Sequence, residues 1–277
     1  LIMLGGISES TEKQAQAIDF YRQVSPKSPM HRISQLQLGL ALAQTDKNKE
    51  ARKHLKELLD ADPSDLRSYL AYGSVLSDAK EYREMAKVYE KAVKVIGEVP
   101  KRSDWTIFFQ LGIAYERLKE WDKAEPNFKK ALQLNPDQPQ VLNYLGYSWV
   151  DRNQNLDEAM KMIERAVELR PNDGYIVDSL GWAHYRLGEF DKAVTELERA
   201  VGLRAADPTI NDHLGDAYWR VGRKIEAVYQ WNRALIGESD DVDKAVVQQK
   251  IENGLPELDK DGKPPMAAET KKDEKKL

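Results

Sequence analysis

Five aromatic residues, Tyr147, Tyr175, Trp182, Tyr185 and Trp219, stand in the second half of this 277-residue sequence among Asn143, Asp178, Asp212 and Asp216. Arg117, Arg186 and Arg220 punctuate the same stretch and the one before it. Such side chains suit non-covalent recognition. Tyr and Trp present a large apolar ring with a polar tip. A guanidinium can hold a carboxylate through two parallel hydrogen bonds. An asparagine amide both donates and accepts, which suits an extended backbone. Bond-making chemistry is poorly provided. The four histidines, His31, His54, His184 and His213, form no helical pair with a nearby carboxylate at metal-ligand spacing. No glycine-rich phosphate loop and no serine elbow occurs. The absence of cysteine removes disulfides, thiolate metal sites and cysteine nucleophiles together. The residues imply no catalytic centre, no metal and no cofactor, and the expectation is that the chain is not an enzyme.

The elements that must position these side chains repeat. A Leu-Gly pair or its equivalent occurs at Leu4-Gly5, Leu38-Gly39, Tyr72-Gly73, Leu111-Gly112, Leu145-Gly146, Leu180-Gly181 and Leu214-Gly215. The glycines are 34, 34, 39, 34, 35 and 34 residues apart. A second, mostly small position follows twelve or thirteen residues later, at Ala17, Ala51, Met85, Ala124, Ala159, Ala193 and Ala227. A fixed period of this length means one supersecondary unit stacked many times. In the segment from Trp105, the residues Phe108, Leu111, Gly112 and Tyr115 share one helical face, and Ala124, Phe128 and Ala131 share another. The two small positions, Gly112 and Ala124, are expected where the helix axes approach. Pro136 lies beyond the second helix, where it costs no helical hydrogen bond.

These residues resemble the tetratricopeptide repeat. The units fall at about 1–31, 32–65, 66–104, 105–138, 139–173, 174–207 and 208–238, the first truncated and the next two more degenerate. The resemblance implies an all-α fold, a right-handed α-solenoid of about seven helix-turn-helix repeats. It also implies that the second, fifth, ninth and twelfth residues of each unit line a groove that binds peptide segments. Carried over position by position, that stripe comprises Gln140, Asn143, Tyr147 and Val150, then Tyr175, Asp178, Trp182 and Tyr185, then Thr209, Asp212, Asp216 and Trp219. The next position supplies Arg117, Asp151, Arg186 and Arg220. The expected partner-binding set is therefore Arg117, Asn143, Tyr147, Tyr175, Asp178, Trp182, Tyr185, Arg186, Asp212, Asp216, Trp219 and Arg220. His184 stands at a core aromatic position and reads as structural, while His213 adjoins the groove as polar lining. A clamp for chaperone tails is not expected, because Asn143 lacks the matching lysines and asparagine in neighbouring units. Strings such as Leu142-Asn143-Tyr144-Leu145-Gly146-Tyr147 and Asp178-Ser179-Leu180-Gly181-Trp182 are similar to proteobacterial repeat proteins that carry export signals. A periplasmic or envelope-associated setting is slightly favoured on that resemblance.

The ends differ from the middle. Ser239 to Asn253 reads as a capping helix, with Ser239 or Asp240 at its start and Asn253-Gly254 and Pro256 as its stop. A helix here would cover the last apolar face, as a stacked array requires. Residues 255–277 hold no aromatic residue and mix Lys with Asp and Glu, so a disordered tail is expected. At the other end, Leu1 falls inside a repeat, which suggests a fragment with an apolar edge at Ile2, Leu4 and Ile7. No run approaches the length of a membrane-spanning helix, so no direct membrane insertion is expected.

Hydrophobic residues make up 41% and charged residues 32%, which suits thin two-layer packing with much surface. A formal net charge of −4, and the three aspartates of the stripe, argue against a nucleic-acid partner. The leading expectation is a protein-interaction scaffold that binds a protein or peptide partner. A self-assembling structural module and a nucleic-acid-binding helical repeat are the alternatives, and oligomeric state is left open.

Overall fold

A computed structural model of the chain describes residues 1–45, 47–237, 239 and 242–265. The described residues form fifteen α-helices and one 3-10 turn, which fall into two compact units, Leu1–Pro136 and Asp137–Leu277.

The first unit holds four hairpins. They are α1 (Ile2–Ser10) with α2 (Gln14–Arg22), α3 (His31–Ala43) with α4 (Asn48–Ala61), α5 (Leu66–Asp78) with α6 (Tyr82–Ile96), and α7 (Trp105–Arg117) with α8 (Trp121–Leu134). The second unit holds three more and a closing helix. They are α9 (Pro139–Asp151) with α10 (Leu156–Leu169), α11 (Gly174–Arg186) with α12 (Phe190–Leu203), α13 (Pro208–Arg220) with α14 (Lys224–Ile236), and then α15 (Lys244–Asn253). The all-α expectation of seven helical hairpins and a capping helix is what the chain forms. Within each unit the second helix of one hairpin packs on the first helix of the next, and first helices also touch along the row, α3 on α5 and α9 on α11 on α13.

The recurring glycine has a physical cause that repeats. A Cβ on Gly112 would stand 2.6 Å from the Phe128 ring, and one on Gly181 would stand 2.6 Å from Leu197. The side chain facing the glycine is thus the large residue one turn beyond the small position. Ala124 and Ala193 themselves are fully buried one turn earlier. The small pair lets two backbones approach; the large residue then lies flat across the glycine. Phe128 and Leu197 are both 0% exposed, so each hairpin is a complete apolar sandwich.

First helices start and stop by local rules. Asp173 caps α11 by accepting from the Tyr175 N–H at 3.2 Å, and Asp207 caps α13 through Thr209 and Ile210 N–H at 3.0 and 3.1 Å. Pro139 and Pro208 open α9 and α13, where the missing N–H costs nothing. A left-handed residue ends most first helices, Lys119 after α7, Asn153 after α9 and Gly188 after α11. The hairpin with the one-residue insertion carries a second such residue, Asn155 at φ +44, which absorbs the extra length.

Two features of the C-terminal end depart from expectation. The closing helix begins at Lys244 rather than near Ser239, because Asp243 is its cap and accepts from Ala245 N–H at 3.0 Å. Asp240 lies outside the described residues. The stretch 255–265, expected to be disordered, is laid against the second unit, and Pro264 is buried there. It is held by the Leu255 side chain in an apolar cluster and by main-chain contacts such as the Pro256 carbonyl on Arg220; residues 266–277 lie outside the described residues. No described helix is long and apolar enough to cross a membrane.

Candidate functional site

Helical spacing puts Asp178, Trp182 and Tyr185 in a row on α11 and Asp212, Asp216 and Trp219 in a row on α13. The α11 row is tied to α13 through His213. Its Nδ1 lies 3.0 and 3.1 Å from the two carboxylate oxygens of Asp178. The imidazole also stacks on the Trp182 ring, with centroids 4.1 Å apart and planes 17° from parallel. Trp182 stacks in turn on Tyr185 at 4.8 Å. Tyr185, Trp182 and His213 therefore form one continuous stack that bridges two repeats. Burial by itself would lower the His213 pKa, but the Asp178 carboxylate, helped by Asp212 and Asp216, outweighs it and raises it above the ordinary histidine value. The ring sits against an indole face, where cation–π attraction would add to the Asp178 contact whenever the imidazole is protonated.

The α13 row is engaged differently. The Lys250 ammonium of α15 reaches both Asp212 oxygens at 2.9 Å and Asp216 at 2.8 Å. Burial would lower the Lys250 pKa; the Asp216 and Asp212 carboxylates reverse that and hold it well above the usual lysine value. Asp216 also accepts from the Trp231 indole N–H at 2.9 Å, so its lone pairs are divided between α14 and α15. Trp219 lies tilted against Trp231 at 5.4 Å, and the Lys224 ammonium stands 4.6 Å above the Trp219 ring. Arg220 donates from Nε to the Tyr185 hydroxyl at 3.4 Å and from Nη1 to the Pro256 carbonyl at 2.8 Å.

The expected set is thus brought together only in part. Asp178, Trp182, Tyr185, Asp212, Asp216, Trp219 and Arg220 join one network across α11 and α13. Asn143 and Tyr147 lie on α9, the next first helix in the row, and both are half-buried. Arg186 is buried, so its guanidinium does not stand open to solvent as the stripe position implied. Tyr175 lies outside the network. It is 50% exposed, and the Arg204 guanidinium covers its ring at 4.0 Å. Arg117 sits in the first unit, exposed, 3.6 Å from Glu116. His184 is half-buried and bonds Glu189 through Nδ1 at 2.6 Å, while its neighbour Tyr185 takes the fully buried place.

Asn143 Oδ1 and Trp182 Nε1 are buried and make no hydrogen bond among the described residues, and the same holds for several side-chain atoms elsewhere in the molecule. Groups of this kind are rare in folded chains, because each one forfeits its hydration. Lys250 was not legible as a member of the site, since α15 is not a repeat helix and its residues carry no periodic register. His213 carried a weak signal, as a polar residue beside the stripe position Asp212.

Known proteins agree with the helical repeat. Models of the tetratricopeptide repeat match residues 36–101, 105–138 and 151–173, and a TPR repeat model matches residues 181–222. A TPR repeat-containing protein of Pseudomonas aeruginosa, PA4667, is 27% identical over 187 residues, which is 67% of this chain and 31% of that protein. The human protein O-mannosyl-transferase TMTC1 is 25% identical over 177 residues, 64% of this chain and 20% of that protein. The chain therefore spans a third or less of the length of these relatives. Among solved structures, a chain of the APC/C hetero-tetramer Cut9-Hcn1 superposes with a TM-score of 0.74 at 15% identity, covering 91% of this chain and 48% of that one. A tetratricopeptide repeat protein from Parabacteroides merdae superposes at 0.65 and 16% identity, covering 91% and 96%. At such identities the likeness speaks to the fold. With seven glycine-centred hairpins, and repeat models matching in every region from the second hairpin to the seventh, the chain belongs to the tetratricopeptide repeat family.

Proposed function

We propose that this protein is a non-enzymatic interaction scaffold that holds a segment of a partner protein on the first-helix face of its C-terminal repeats. The observation that carries this reading is the row of half-buried rings on successive first helices of the second unit, Tyr147 on α9, Trp182 on α11 and Trp219 on α13. Amphipathic rings of this kind are what protein-binding surfaces favour. Tyr147 lies on the same helix as Asn143, one turn on, and adds a ring to the face. The stripe's aspartates favour a protein over a nucleic acid. The bacterial envelope is the proposed place of action, on the resemblance of the C-terminal repeat strings to proteobacterial repeat proteins that carry export signals.

The test is calorimetric titration of the partner, once captured, into the full chain and two variants. Asn143→Ala removes a half-buried amide from the face, and Trp182→Phe shrinks the indole while keeping a ring in the stack. Each is expected to weaken binding about tenfold, or about 1.4 kcal/mol, an ordinary cost for truncating a contact side chain. The circular-dichroism spectrum should stay helical. Unaltered affinity in both variants would move the partner to another face.

A further inference from the structure

Residues 254–265, the described residues after α15, stay against the second unit. Gly254, at φ +75, closes the helix and sets the backbone against the Trp219 ring so closely that a Cβ has no room. Leu255 joins the apolar cluster that contains Trp231 and Tyr185. The Pro256 carbonyl accepts from Arg220 Nη1 at 2.8 Å. The segment then folds on itself at Asp259, whose carboxylate accepts from Asp261 N–H at 2.9 Å and Lys263 N–H at 2.8 Å. The Gly262 carbonyl oxygen lies 3.2 Å from where a Cβ on Gly188 would stand, at the turn between α11 and α12. Residues 254–265 thus run from the C-terminal end of α13 to the turn after α11.

The manner of contact matters. A main-chain carbonyl meets Arg220, and glycine main chain meets Trp219 and Gly188. A different segment with glycine, an apolar residue and proline at these points reproduces those contacts. The helix before it is also held by the buried ammonium of Lys250 between two carboxylates.

We propose that residues 254–265 are a displaceable strap, an internal stand-in for a glycine- and proline-containing partner segment that binds across Trp219, Arg220 and Gly188 when the strap lifts. The proposal rests on the reading that this face receives a partner, and it adds the class of segment and what guards the surface. A tethered strap competes at an effective concentration on the order of millimolar. A peptide with an intrinsic dissociation constant of about 100 μM is therefore weakened about tenfold by it.

The probe is a fluorescent peptide of residues 254–265, followed by anisotropy on the full-length chain. Gly254→Ala puts a side chain into the Trp219 ring at a left-handed φ and lifts the strap. A second chain, with residues 255–265 replaced by a glycine-serine sequence of equal length, leaves Gly254 and α15 intact and guards against misfolding of the first. Both are expected to bind the peptide about tenfold more tightly than the parent, and adding Arg220→Ala is expected to abolish the gain. Equal affinity in parent and both strap variants, or a gain that survives Arg220→Ala, overturns the proposal. The peptide result is independent of Asn143, so a failed partner titration with Asn143→Ala and a failed strap test are told apart.

Discussion

Lys250→Met is expected to destabilise the C-terminal end of the second unit by about 3–5 kcal/mol, the cost of leaving buried charge uncompensated. The Lys250 side chain is 15% exposed and Asp216 only 7%, so neither charge has water in reserve. Removing the ammonium leaves two carboxylates, Asp212 and Asp216, facing each other beside Trp231. Their repulsion adds to the lost pair. A second change should recover most of the loss. Asp216→Asn removes one carboxylate yet keeps an oxygen for the Trp231 N–H, and in the Lys250→Met background it leaves one carboxylate, Asp212, which is less buried. Urea unfolding followed by tryptophan fluorescence reads this directly, since Trp219 and Trp231 flank the triad. A Lys250→Met chain as stable as the parent would mean that the triad is solvated and does not pin α15.

Phe128→Ala should cost a similar amount in the first unit, about 3–5 kcal/mol, by the loss of a fully buried ring and the cavity it leaves. Phe128 is 0% exposed and lies between Gly112 and the rings of Phe109 and Trp121, 6.0 and 6.3 Å away. The reciprocal change tests the geometry more sharply. Gly112→Ala places a methyl 2.6 Å from the Phe128 ring, an overpacking worth about 1–3 kcal/mol. In a Phe128→Leu background the methyl meets a smaller, more pliable side chain, and the Gly112→Ala cost should fall. Thermal melts of the four chains give the coupling. Equal costs of Gly112→Ala in both backgrounds would show that the glycine is needed for something other than the ring across from it. Because a repeat packs mainly on its neighbours, both effects should stay local to the hairpin and those beside it.

Much of the fold was legible because a close approach of two helix axes demands a residue without a side chain, and that demand recurs with the unit. The glycines and alanines at the fixed period are that demand written down. The partner of each glycine was less legible. Two small positions suggested small against small, whereas the ring or branched chain one turn past the alanine is what lies over the glycine. The inserted residue near Asn153 was visible as a spacing of thirteen, and left-handed Asn153 and Asn155 absorb it.

The candidate site was legible as a stripe but not as a network. Periodicity places Trp182 and Trp219 on one face; it cannot say that Trp182 stacks on His213 or that Trp219 is covered. Arg186 and Tyr175 kept the stripe's spacing, yet burial removes one from solvent and Arg204 covers the other. Lys250 and the strap were invisible for a shared reason. Each lies after the last repeat, where register carries no information, and the strap is held by one leucine, a glycine turn and a carbonyl, none of which forms a periodic pattern. Low aromatic content correctly signals weak self-burial; it says nothing about whether a neighbouring face supplies the missing surface.

The proposed partner segment on the first-helix face of the second unit should lie within reach of Tyr147. A photo-crosslinking phenylalanine analogue in place of Tyr147 reports on this, with the same analogue in place of Tyr229 as control. Tyr229 is 58% exposed on α14, the second helix of its hairpin. Irradiation of the full chain in its source cells should join position 147 to one continuous segment of one protein and position 229 to none. Crosslinks to that protein from position 229, with none from position 147, would contradict the account.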